Sequence, residues 1–144
     1  MGDQLDDLEL RAWRSFLSLH SRIVRDLDQE LTDEASLRLN QYEVLLRLKQ
    51  APDGAMRMSE LAGKVYLSPS GVSRAVDQLE RRGLVERRVC ASDRRGFLAV
   101  LTEKGQTRLR AAAKVHVRGI KDHFTSKMSR TELDELACLL ELIG

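Results

Sequence analysis

Between Ser68 and Thr102 the chain changes period twice within a short span, and that change limits the folds open to it. Ser68 followed by Pro69 has N-cap and first-turn chemistry for a helix, and Gly83 supplies its stop. Within that helix Val72, Val76 and Leu79 fall on one face, leaving Ser70, Gly71, Ser73, Arg74, Asp77 and Gln78 on or near the other. Two short apolar, β-branched runs follow, Leu84-Val85 with Val89 and Phe97-Leu98 with Val100-Leu101. The stretch Cys90–Gly96 between them predicts a hairpin with a long exposed tip carrying Arg94 and Arg95. A helix with a small polar start, followed by a hairpin with arginines at its tip, can place side chains in two adjacent DNA grooves.

The flanking segments are helical by period. Leu5, Leu8, Ala12, Trp13, Phe16, Leu19, Ile23, Leu27 and Leu31 recur at helix spacing and predict a long first helix, followed by the polar link Thr32-Asp33-Glu34. Asn40-Gln41-Tyr42-Glu43 resembles a capping box for a second helix with Val44, Leu45 and Leu48 inside, ended by the turn Pro52-Asp53-Gly54. Ser59 opens a short helix with Leu61, Ala62 and Val65 inward, completing a helix-turn-helix with the Ser68 helix. Thr102 caps a fifth helix bearing Leu109, Ala113, Val117, Ile120 and Phe124, and Ser129-Arg130-Thr131-Glu132 is a capping box for a sixth. The expected fold is mainly α with a small β-hairpin wing. It is a single domain with a winged helix-turn-helix over about 40–102 and flanking helices over about 5–31 and 103–144.

Charge is unevenly divided. Nine basic residues stand against five acidic ones from Arg57 to Arg95, whereas residues 1–56 hold seven basic and eleven acidic ones. A basic region beside an acidic one suits phosphate binding by the former, although a solvated basic helix and turn would have the same composition. The chain has no apolar run long enough to span a bilayer, and its acidic start lacks the pattern of a secretory signal, so a cytoplasmic location is expected. Cys90 and Cys138 show neither a disulfide framework nor metal-ligand spacing, and His20, His116 and His123 are scattered, so no metal or other cofactor is expected. Neither a nucleophile-base-acid order nor a phosphate-cradling glycine loop is present, which argues against an enzyme.

Ser59-Glu60-Leu61-Ala62, the Ser68–Leu79 helix, Arg82-Gly83-Leu84-Val85, the Asp93-Arg94-Arg95 turn and Leu101-Thr102-Glu103-Lys104-Gly105 resemble the MarR family of bacterial transcriptional regulators. The likeness spans nearly the whole chain. It implies a homodimer joined through its first, fifth and sixth helices, with Leu8, Leu133, Leu136 and Leu140 among the contacts. Each half would read part of a pseudo-palindrome in double-stranded DNA, as a repressor released by an effector.

Under that reading Ser68, Ser70, Gly71, Ser73, Arg74, Gln78, Asp93, Arg94 and Arg95 form the DNA-binding set. Arg74 is the candidate base reader, by a bidentate pair with guanine. The resemblance sends Arg95 into the minor groove, with Asp93 bracing the turn. It also suggests a pocket for a small aromatic or amphipathic effector at Trp13, Phe16, His20, Tyr42 and Leu45, although the same aromatic stripe fits ordinary core. Two alternatives stay open: a winged helix serving only as a protein-interaction module, and a redox-responsive regulator acting through Cys90, whose arginine neighbours favour the thiolate.

Overall fold

The computed structural model describes residues 4–65, 67–90 and 93–144, the side chains of 93–95 excepted. Among the described residues six helices and three strands occur in the order α1 (Asp7–Ala35), α2 (Leu39–Gln50), β1 (Ala55–Arg57), α3 (Met58–Lys64), α4 (Pro69–Arg81), β2 (Val85–Cys90), β3 (Asp93–Leu101), α5 (Glu103–His123) and α6 (Arg130–Ile143). The mainly helical fold with a small antiparallel wing is the one the sequence predicts.

Local chemistry sets the helix ends. Asp6 caps α1, exchanging bonds of 2.8 Å with Glu9 in a full capping box. The helix then runs through Thr32-Asp33-Glu34, which reads as a link in sequence, and closes where Ser36 turns left-handed. The three polar residues fit there because Thr32 donates back to the Asp28 carbonyl, Asp33 accepts from Gln29 one turn away, and Ala35 is buried beyond them. The start of α2 also differs from expectation. Arg38 occupies the N-cap position, and Gln41, three residues on, accepts its backbone N–H at 3.0 Å, so the reciprocal bond begins two residues before Asn40. Thr102 and Ser129 cap α5 and α6 as their sequences predict.

The sheet order is β1-β3-β2. Strand β1, absent from the sequence reading because three residues carry no period, pairs Ala55 with Val100 and Arg57 with Leu98. Strands β2 and β3 pair from Val85 with Leu101 to Val89 with Phe97, after which the register shifts to set Cys90 opposite Asp93. Pairing therefore extends well into the expected seven-residue tip, leaving only Ala91 and Ser92 between the strands. Those two residues lie outside the described ones.

Leu31, Leu37, Leu45, Leu48, Leu61, Leu79 and Leu84 are fully buried at the centre, joined by Val44, Val72, Val76 and Val85. Helix α4 contributes the inward face read from sequence, with Ala75 added. Helix α5 is rotated from its expected face. It buries Leu109, Ala112 and Val115 with Gly105 and Gly119, while Val117 is 49% exposed, because small residues let α5 lie close along α1. The Leu101–Gly105 motif has a steric reason. A Cβ on Gly105 would stand 2.1 Å from the Leu84 carbonyl oxygen. Nearby, Thr102 donates to the Gly83 carbonyl and Lys104 to that of Arg82, fastening the end of α4 to the start of α5.

Candidate nucleic-acid interface

Ser68 builds the start of α4. Its hydroxyl accepts from Gly71 N–H at 3.1 Å and lies 3.1 Å from the Ser70 hydroxyl, while Pro69 occupies the first turn. One helical turn after Ser70, Arg74 is exposed, and no hydrogen bond or ion pair among the described residues engages it. Ser70 and Arg74 thus form an outward pair at helix spacing at the start of the helix, an arrangement suited to phosphates and base edges.

Ser73, Asp77, Gln78 and Glu80 of α4 have partners inside the molecule. Arg87 on β2 contacts Asp77 and donates to the Ser73 carbonyl and hydroxyl at 3.2 and 3.3 Å, while its own N–H goes to Glu80. Gln78 accepts from Gln41 of α2 at 2.8 Å. Of the helix residues in the sequence-derived set, Ser70 and Arg74 face outward, Ser68 and Gly71 form the cap, the half-buried Ser73 is bonded by Arg87, and Gln78 is exposed but bonded by Gln41. Arg87 and Gln41 escaped the sequence reading. Arg87 was visible in principle, since alternation from Val85 turns it toward α4, where Asp77 and Glu80 are three residues apart on one face. Gln41 carried no such sign.

The side chains of Asp93, Arg94 and Arg95 lie outside the described residues; their backbone belongs to β3. Val89 and Phe97, paired across the wing, are both exposed. Phe97 also lines, with Met58, Ser59, Pro69, Ser73 and Arg87, an open groove of about 540 Å³ between α3, α4 and the wing. Cys90 is buried at the end of β2, which limits the access of an oxidant to its sulfur.

The five residues of the suggested effector pocket are not brought together within one chain. Trp13, Phe16 and His20 form an exposed ladder along α1, with ring centroids 6.3 and 6.1 Å apart. Tyr42 and Leu45 are core residues. Tyr42 instead packs on His116 of α5 at 4.6 Å. Burial lowers the His116 pKa, partly opposed by nearby Glu43, and raises that of Tyr42, so both rings are neutral around pH 7. Leu8 and Leu140 are exposed, Leu133 and Leu136 half-buried, and α6 buries no residue.

The MarR family model matches residues 37–97, from the entry to α2 through the wing. AbsC of Streptomyces coelicolor, a MarR family transcriptional regulator, is 36% identical, and its crystal structure aligns with a TM-score of 0.88 over 97% of this chain and 94% of its own. The chain belongs to the MarR family. A second MarR family regulator of that organism, Sco3205, whose crystal structure is a complex with DNA, is 29% identical and aligns with a TM-score of 0.92 over 99% of this chain and 89% of its own. The HTH-type transcriptional regulator YkoM of Bacillus subtilis is 28% identical over 131 residues, 91% of this MarR protein and 80% of YkoM. This MarR chain is accordingly a transcriptional regulator, and among its described residues no helix is long and apolar enough to cross a membrane.

Proposed function

We propose that the protein is a homodimeric repressor, without enzymatic activity, that reads a pseudo-palindromic operator in double-stranded DNA and is released from it by a small aromatic or amphipathic effector in the cytoplasm. The observation that carries DNA reading is the outward pair Ser70 and Arg74 on a helix capped by Ser68 and held from both flanks. Sco3205, of nearly the same fold, has been seen on DNA. Dimerisation is supported by apolar side chains left in water by a single chain. Leu5, Leu8, Trp13 and Phe16 on or beside α1 and Leu139, Leu140, Leu142 and Ile143 at the end of α6 are all exposed, a surface that a second copy would cover. Effector release follows if a ligand favours a dimer whose recognition helices no longer match successive major grooves, about 34 Å apart.

Fluorescence anisotropy on the protein's own upstream DNA and on a shuffled duplex, at several salt concentrations, tests the reading. Tight binding to the native fragment with a steep salt dependence supports a sequence-specific regulator. Equal binding to both duplexes removes autoregulation and calls for selection from genomic fragments. Absence of binding to any duplex would leave a winged-helix interaction module.

A further inference from the structure

Gln41 is the one buried polar residue among the described side chains, 6% exposed between Tyr42 and Val44 of an otherwise apolar helix face. A buried carboxamide is tolerated when both its ends are bonded, and here they are. Its oxygen accepts from Arg38 N–H at 3.0 Å, and its nitrogen donates to Gln78 of the recognition helix at 2.8 Å. The Arg38 end is itself anchored to α1. Asp28 takes the Arg38 guanidinium on one oxygen and Leu39 N–H on the other, each at 2.8 Å.

We infer that Gln41 is a positioning residue for DNA reading: through Gln78 it fixes the rotation of α4 about its axis and ties that rotation to Asp28 on α1. The inference rests on the DNA-binding reading above. Its physical basis is directional. The apolar face of α4, formed by Val72, Ala75, Val76 and Leu79, holds the helix against the core by contacts that tolerate a small roll. Hydrogen bonds weaken steeply with angle and do not tolerate it. Arg87 grips one flank at Ser73 and Asp77, and Gln41 grips the other at Gln78. Arg74 lies one turn before Gln78, so a roll of α4 would carry its guanidinium sideways from the base edge it is aimed at. An apolar residue at position 41 would fill the same space but would leave Arg38 N–H without its cap acceptor and the second flank ungripped.

The test uses the full chain and a duplex that the wild-type protein selects from genomic fragments. Gln41→Met keeps the length of the side chain and removes the amide, and its melting temperature should fall by no more than a few degrees, the cost of the lost cap bond to Arg38. Its affinity should fall about tenfold, with reduced preference over a duplex altered at the read bases and an unchanged salt slope. Gln78→Ala should show the same loss, and the double variant no more than either single one, since both remove one strut. Wild-type affinity in Gln41→Met, or losses that add in the double variant, would overturn the inference, because Gln78 would then act on its own. A wild-type protein that selects no duplex would overturn the DNA-binding reading and this inference together.

Discussion

Arg74 and His116 show how environment assigns different tasks to single side chains. Arg74 is exposed and without an internal partner among the described residues, so its guanidinium is available to a ligand. Arg74→Ala should cost about 1–3 kcal/mol of discrimination at one base position, measured by competition between operator duplexes differing at that position. Arg95→Ala should instead weaken binding across sequences and reduce the salt slope by about one, as loss of a phosphate-region cation does. His116 is held neutral against Tyr42, with a folded pKa below its ordinary 6.5. Below that value the unfolded chain takes up the proton first, so His116 should weaken the fold as pH falls from about 7 toward 5. Urea midpoints across that range should drop less for His116→Phe than for wild type, and an identical drop in both would remove His116 from the account. At this scale the sequence exposed Arg74, because small polar residues around it have no place in a core. It concealed Gln41, whose role depends on Gln78, 37 residues away.

At the level of elements, caps and apolar periods were legible and very short or tertiary features were not. Ser68, Thr102 and Ser129 mark helix starts by bonds within one turn, so sequence suffices to find them. Strand β1 is three residues whose strand pairing, among the described residues, is with β3, and the continuation of α1 past Leu31 depends on where Ala35 is buried. The rotated face of α5 has a similar origin, since a close approach selects small residues over the larger Val117. The junction of α4, β2 and α5 should be intolerant of volume. Gly105→Ala sets a methyl against the Leu84 carbonyl, and a loss of about 3 kcal/mol or more is expected in urea unfolding. Arg87→Ala, by freeing Asp77 and Ser73, should lower operator affinity while affecting the helix content seen by circular dichroism little.

For the whole molecule, the long apolar stripe is helical from Leu8 onward as its period predicts, yet much of it lies outside the core of one chain. Periodicity reports that a face is apolar without saying whether its own chain or another covers it. Leu140→Asp should shift sedimentation toward monomer and weaken operator binding by about a hundredfold, as two half-sites are engaged separately. A variant that remains dimeric with full affinity would place the contact elsewhere.

The pairing of Ala55–Arg57 with Leu98–Val100 also bears on the order in which the polypeptide acquires structure. Both helices of the reading unit lie inside a loop whose two ends are sealed by that sheet. During synthesis α3 and α4 emerge well before β3, and the sheet that encloses them must await a closure across more than forty residues. A nascent chain arrested before Leu98 should therefore remain protease-sensitive through α4, and protection should appear abruptly once β3 has cleared the ribosome.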